Sequence, residues 1–223
     1  MKKTYIIGDI HGCAHTLGDV WEIILKTFNK EEDIVVFLGD YFDRGKHSPL
    51  VYLLIRNLQK EYGENIICLK GNHEEMMYES LALNDHYFWF INGGDKTEQQ
   101  FNKDFDNETI AKSELIKWLA HLPSYYYDTT EKFWCVHARI PHEHTVDYDE
   151  EDLDECLWGR STSGVGDIVF HGHTPHEGTV VRKGNDINID TGCVFNGGLT
   201  FAIKNGKIIT TTTVPTNELD RIE

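Results

Sequence analysis

The chain has 223 residues, enough for one domain with a sizeable core. Its 40% hydrophobic and 26% charged residues are ordinary for a soluble globular protein, and no apolar run approaches the ~20 residues that a membrane helix needs. A formal net charge of -16 argues against a nucleic-acid duplex as partner, because that binding relies on Lys and Arg set against phosphates. The opening stretch MKKTYIIGDIHG puts an aspartate and a histidine where a signal peptide would be apolar, so the expected location is the cytoplasm. Cys13, Cys68, Cys135, Cys156 and Cys193 are widely spaced and contain no CxxC pair, which points to free thiols rather than a disulfide framework or a zinc ribbon.

In chain order, TYII reads as a short buried strand, and Leu17, Val20, Trp21, Ile24, Leu25 and Phe28 follow the spacing of one apolar helix face. DIVVFL is a second strand. Ser48 and Pro49 suit an N-cap and first turn for a helix with Leu50, Leu54, Leu58 and Tyr62 on its apolar face. NIICL is a third strand, ending at Gly71. This β-α-β-α-β order implies a parallel sheet with right-handed crossovers, and ligands bind beyond the C-terminal strand ends of such sheets. From Glu74 to about His121 the pattern is mostly helical, broken by INGGDKT. The second half reads as shorter strands, YYYDT, KFWCV, DIVF, TVV, INI, LTFAI and KIITTTTV, which suggests a second sheet. No linker or internal repeat divides residues 1–223, so one domain is expected.

The polar clusters sit at strand ends: GDIHG with Asp9 and His11, GDYFDRG with Asp40, Asp43 and Arg44, and GNHE with Asn72, His73 and Glu74. Several carboxylates brought together without a cation disfavour one another's ionisation, and a bound metal removes that cost. Asp, His and Asn ligands without cysteine point to manganese, iron or zinc. WCVHAR adds His137 and VFHGHTP adds His171 and His173. Asp9, His11, Asp40, Asn72, His137 and His173 make six candidate ligands, too many for one open catalytic zinc but suited to two metals sharing a carboxylate.

The series GDIHG, GDYFDRG, GNHE, VHA and GHTP, with INGGDKT and INIDTGCVFNGGLT, resembles the metal-dependent phosphoprotein phosphatase family of the calcineurin-like metallophosphoesterases. It is most similar to the bacterial and phage branch that contains the lambda-type phosphatase and the diadenosine polyphosphate hydrolases. The resemblance implies an α/β fold of two mixed β-sheets packed as a sandwich flanked by helices (αββα). It also implies a hydrolase of phosphate monoesters, acting on phosphoserine or phosphothreonine in proteins through a hydroxide activated by two divalent ions, manganese first. The alternatives are a diadenosine polyphosphate hydrolase and a non-catalytic scaffold. By position, Asp9, His11 and Asp40 would hold one metal and Asp40, Asn72, His137 and His173 the other. Arg44 and Arg160 would clamp the phosphate, and His73, oriented by Asp43, would be the general acid.

Four further features remain. Arg139 is expected in solvent or an ion pair. His171, two residues before His173, would share its face on a regular strand and could ligate too, but the resemblance places the ligand at the histidine inside GHT, so His171 is read as supporting the site or as structural. His142, His144 and His176 are read as solvated. The acidic run DYDEEDLDE is read as a solvated face, or as the flank of the site's mouth favouring substrates with basic surroundings.

Overall fold

The computed structural model describes residues 2–141 and 149–222. In chain order its main elements are β1 (Thr4–Ile7), α1 (Ala14–Leu25), β2 (Ile34–Phe37), α2 (Ser48–Tyr62), β3 (Ile66–Cys68), α3 (Asn72–Tyr78), α4 (Tyr87–Ile91), α5 (Gly94–Asp106) and α6 (Lys112–Ala120). Then follow β4 (Tyr125–Asp128), β5 (Phe133–Val136), α7 (Glu150–Trp158), β6 (Ile168–His171), β7 (Val181–Lys183), β8 (Asp186–Asn188), β9 (Leu199–Asn205) and β10 (Ile208–Val214).

The strands are apolar on both faces because both faces are covered. On β1, Tyr5 and Ile7 pack toward the helices while Ile6 points the other way; on β2, Val35 and Phe37 alternate in the same manner with Ile34 and Val36. The helix-side cluster gathers Leu17, Val20 and Ile24 of α1, Val51 and Ile55 of α2, and Phe101 of α5. The opposite residues of β1 and β2 meet Phe133, Cys135, Phe170 and Ile187 of the second sheet. Trp134, Val136 and Val169 face outward under Cys156 of α7. Three apolar layers therefore separate helices, sheet, sheet and helix, the αββα calcineurin-like metallophosphoesterase architecture.

The first sheet has the order β10-β9-β1-β2-β3 and the second β4-β5-β6-β8-β7. β1, β2 and β3 are parallel, as the alternation of strand and helix requires, whereas β9 runs antiparallel to β1 with Thr4 opposite Lys204. Both sheets are mixed. The last two strands thus return to the first sheet and do not extend the second; KIITTTTV exposes most of one long edge strand, as a hairpin closing a sheet does. All five cysteines are free and buried. Among the described residues no helix is long and apolar enough to cross a membrane.

Two helix faces match their expected positions except at one residue each. In α2, Leu54, Leu58 and Tyr62 pack on the core, Leu50 is exposed and Val51, Tyr52 and Ile55 are buried beside them; Ser48 already belongs to the helix and His47 precedes it. In α1, Leu25 faces solvent at the last helical position. INGGDKT does break the helical region, but only at Asn92 and Gly93, where the φ of 100° at Gly93 suits glycine; Gly94 to Thr97 already lie in α5. Residues 150–158 form a helix that the acidic composition hid, started by Asp149, which accepts a hydrogen bond from the Asp152 amide.

Candidate metal centre

Three turns of the first sheet and two strand ends of the second converge on one edge. From the first come Asp9 and His11 after β1, Asp40, Asp43 and Arg44 after β2, and Asn72 and His73 at the start of α3; from the second come His137 after β5 and His173 after β6. The turns are held in conformations that side chains rarely adopt. His11, Asp40, Asp43, Arg44 and His173 all have φ between 45° and 69°, in the left-handed region. Such strain persists only where surrounding contacts impose it. Here Glu74, fully buried, accepts from the amides of Asp40 (2.7 Å), Tyr41 (2.9 Å) and Gly71 (3.0 Å) and fixes the β2 turn against α3. Gly172 lets β6 close on the first sheet, since a Cβ there would lie 1.9 Å from Asp9 Oδ1.

Hydrogen bonds define the proton on two of the rings. His11 Nδ1 lies 2.7 Å from the Phe42 carbonyl and His137 Nδ1 lies 3.0 Å from the Leu38 carbonyl. A carbonyl only accepts, so both rings carry the proton on Nδ1 and present the Nε2 lone pair inward. His11 Nε2 is 3.3 Å from Asp40 Oδ2; His137 Nε2 is 3.4 Å from Asp40 Oδ1, 2.9 Å from Asn72 Oδ1 and 3.2 Å from His173 Nδ1. Arg44 Nη1 stands 2.5 Å from His11 Nε2.

This crowding of lone pairs tests whether metal fits. His11, Asp40 and His73 offer donor atoms within 4.8 Å of one another, and Asp9, Asp40 and His137 do the same, with Asp40 common to both groups. Burial opposes ionisation of Asp40, but the His137, His73 and His11 rings facing it hold its carboxyl well below the usual range. Burial also pushes His11 down to about 4 and His173 to about 3, so these rings are neutral near pH 7. Burial, then the charges of Asp190 and Asp40, push the Asp9 carboxyl well above its ordinary value; burial chiefly pushes Asp190 up to about 7. Arg44 acts to lower both carboxyls but does not offset their burial, so cations from outside the chain would stabilise the charged forms. Asp9 Oδ1, His73 Nε2 and His173 Nε2 are buried without a hydrogen-bond partner among the described residues. Oxygen and imidazole donors around two overlapping groups fit a pair of divalent cations, so a binuclear metal-binding arrangement is present.

His73 lies beside this cluster. Its Nδ1 is 2.6 Å from Asp43 Oδ2, and Asp43, with no exposed surface, also accepts from Trp89 Nε1 at 2.9 Å and 3.1 Å. The ring is thereby locked with Nε2 toward Asp40 Oδ2, 3.9 Å away.

The remaining sequence candidates separate. Arg160 is exposed and lines a cavity of about 110 Å³ with His171, His176, Lys183 and Asp186, near enough to His173 to disfavour its protonation. His171 faces that cavity and not the metal cluster, because the left-handed backbone at His173 ends the strand's regular alternation. His176, expected in solvent, is half-buried on the same wall. Arg139 makes an ion pair with Glu155 at 2.7 Å and is nearly buried. Of the acidic run, Asp147 and Tyr148 lie outside the described residues, as do His142 and His144. The rest is α7, whose Glu150, Glu151 and Asp154 line a groove with Glu75 and Glu79, and whose Trp158 ends 6.1 Å from the His173 ring. Asp149, Glu150, Glu151 and Asp154 are exposed, as a solvated face requires, and the helix ends near His173, as the flank reading requires.

Asp190, Glu74 and Trp89 received no role from the sequence. Asp190 and Glu74 stood inside quoted motifs, INIDTG and GNHE, as further carboxylates at strand ends. Trp89 carried no signal, because a tryptophan in YFWF reads as core.

Residues 2–202 match the calcineurin-like phosphoesterase family. The chain is 28% identical over 215 residues to serine/threonine-protein phosphatase 2 of Salmonella typhimurium, across 90% of this chain and 92% of that protein. It is 26% identical over 220 residues to the asymmetrical bis(5'-nucleosyl)-tetraphosphatase PrpE of Halalkalibacterium halodurans, across 87% of each. A protein serine/threonine phosphatase from Saccharomyces cerevisiae superposes with a TM-score of 0.65 at 19% identity, over 95% of this chain and 80% of that one, a likeness of fold.

Proposed function

The chain belongs to the calcineurin-like phosphoesterase family, and from that premise we propose that this metal-dependent phosphoesterase is a one-domain cytoplasmic phosphatase of phosphoserine and phosphothreonine, using manganese. The observation that carries the reading is His73. A buried imidazole is held by Asp43 on one side, with an unpartnered Nε2 turned toward the shared carboxylate Asp40. A scaffold has no need of that arrangement; a reaction with a poor leaving group does.

Asp9, His11 and Asp40 would hold one cation, and Asp40, Asn72, His137 and His173 the other. Bound there, the pair supplies Lewis acidity toward phosphoryl oxygens and lowers the pKa of water. The chain's own residues do the rest. Arg44, and Arg160 from the second sheet, bind the phosphoryl oxygens, which a planar guanidinium matches in a bidentate way. His73 keeps a proton on Nε2 and gives it to the departing serine oxygen, while Asp43 fixes its ring and Trp89 fixes Asp43. The buried aromatic floor around Trp89 and Phe42 keeps bulk water from this proton.

A second reading is supported by the cavity that Arg160 shares with Lys183. Cationic groups beside the centre of a chain with net charge -16 suit a further phosphate of a polyphosphate, as in a dinucleotide polyphosphate. A panel of phosphoserine peptides and diadenosine tetraphosphate, assayed with manganese and with products weighed by mass spectrometry, decides between the two. If kcat/KM for the dinucleotide exceeds that of every peptide, the protein-phosphatase reading fails; no phosphate release from any substrate, p-nitrophenyl phosphate included, favours the scaffold.

A further inference from the structure

A second group of metal-type ligands lies outside the main centre. His15 is the second residue of α1, His47 immediately precedes α2, and Asp220 belongs to the segment after β10. Each offers one donor atom, and the three atoms lie within 4.8 Å of one another. The imidazoles meet edge to face with centroids 4.9 Å apart. His47 Nε2 stands 4.0 Å from Asp220 Oδ1 and 3.2 Å from the Leu219 carbonyl.

The burial of Asp220 makes this cluster informative. Its side chain has no exposed surface, and among the described residues the only ion-pair partner recorded for it is His47. Oδ2 is fully employed, accepting from the Thr16 amide and the Thr16 hydroxyl, both at 2.7 Å, which anchors the carboxylate at the start of α1. Oδ1 has only a long contact, 3.3 Å, from the His15 amide, and it faces the two rings. Anchoring the helix start explains Oδ2; it does not explain two imidazoles gathered at Oδ1. Ligands at ~2.0–2.1 Å in a tetrahedral shell are about 3.3 Å apart, so modest side-chain rotation brings the three onto one ion. Two imidazoles and a carboxylate with no thiolate suit zinc or a similar divalent transition cation, and the partly exposed His47 leaves a way in from solvent.

We propose that His15, His47 and Asp220 form a third metal site, for one cation of the zinc class, which fastens the C-terminal segment to the turns that open α1 and α2. The site is independent of the proposed phosphatase reaction, although His47 lies three residues after Arg44 and His15 four after His11. Binding there displaces the proton that His47 Nε2 directs to the Leu219 carbonyl.

The test counts zinc per chain by mass spectrometry after equilibration with zinc chloride and gel filtration, and records thermal unfolding with and without zinc. The double variant His15→Gln, His47→Gln should hold one ion fewer than the natural sequence, show a smaller zinc-dependent rise in Tm, and keep its manganese-supported hydrolysis of p-nitrophenyl phosphate. Asp220→Asn retains an acceptor for Thr16 and should lose the same ion, which covers a folding failure of the double variant. Asp40→Asn, aimed at the main centre, should keep this third ion. Equal zinc in the natural chain and in both variants overturns the proposal. So does loss of all zinc from Asp40→Asn, which would mean that the main centre alone binds the metal.

Discussion

The two sheets reach the shared edge by different means. The first sheet delivers its residues on short, buried turns: Asp9, His11, Asp40, Asp43, Asn72 and His73 all have relative exposures of 5% or less, and four of its site residues, Arg44 among them, sit in left-handed backbone. The second delivers His137, which is fully buried, but then a half-buried His173 and an exposed Arg160. One side builds a rigid floor of charge. The other supplies imidazoles to that floor and leaves the opening through which a substrate enters. Precision and access are thus assigned to different sheets, each packed against the other through Phe133, Phe170 and their partners.

The most severe way to break this division is at Asp40, which faces His11 of the first sheet and His137 of the second. Asp40→Asn should release metal from the main centre and abolish nearly all turnover, because an amide cannot offset two divalent charges. Metal counted by mass spectrometry beside steady-state rates checks this, and near-normal values of both would remove Asp40 from its bridging place.

A break confined to the floor comes next. His73→Asn should slow a phosphoserine peptide by ~10²–10⁴-fold, the usual contribution of a general acid, with p-nitrophenyl phosphate much less affected and metal content retained. Aryl phosphates graded by leaving-group acidity read this out. Equal slowing across the series would mean that the proton comes from elsewhere.

The contact between the sheets is tested by Gly172→Ala. The added methyl would collide with Asp9 Oδ1, so the main centre's manganese affinity should fall by roughly 10–100-fold, as when a partner of a metal ligand is disturbed. Activity against manganese concentration measures it, and an unchanged half-saturation point would show that Asp9 can move freely.

Trp89→Phe sharpens the account of the floor at smaller cost. It removes the indole donor to Asp43, a bond to a charged group worth ~1.5–3 kcal/mol, so the phosphopeptide rate should drop about ten-fold or somewhat more while kcat for p-nitrophenyl phosphate changes little. A like drop for both substrates would mark Trp89 as packing only.

The smallest effect belongs to the open side. Replacing Glu150, Glu151 and Asp154 with Gln, Gln and Asn, while sparing the Asp149 and Asp152 cap, should raise KM for lysine-rich phosphopeptides by about two- to five-fold at low salt, since exposed pairs are worth ~0–1 kcal/mol each and salt screens them. An unchanged KM would leave the groove as a solvated face.

What the sequence showed follows the same division. The first-sheet turns were legible because each packs glycine, carboxylate and histidine into a few consecutive residues, GDIHG or GDYFDRG, so that chain proximity and spatial proximity coincide. Asp190, although inside INIDTG, nears Asp9 only when the two sheets pack, and Trp89 reaches Asp43 from 46 residues away, so neither partnership had a local signal. Periodicity found α2 but misjudged its face by one residue, since Leu50 and Val51 are both apolar and only tertiary packing chooses between them. Composition hid α7, where charge outweighed the pair Cys156 and Leu157 that docks it. The return of β9 beside β1 could not be read from alternation at all, because alternation names a strand's faces and not its neighbour.

That return sets a timetable for biosynthesis. Strand β1 is made long before its antiparallel neighbour at residues 199–205, so one flank of β1 stays open until that later strand has left the ribosome. An open apolar strand edge is a template for intermolecular pairing, and the cell must shield it during that interval. Asp190 lies between β8 and β9, so the carboxylates around Asp9 come together only after the early motifs GDIHG, GDYFDRG and GNHE have been made.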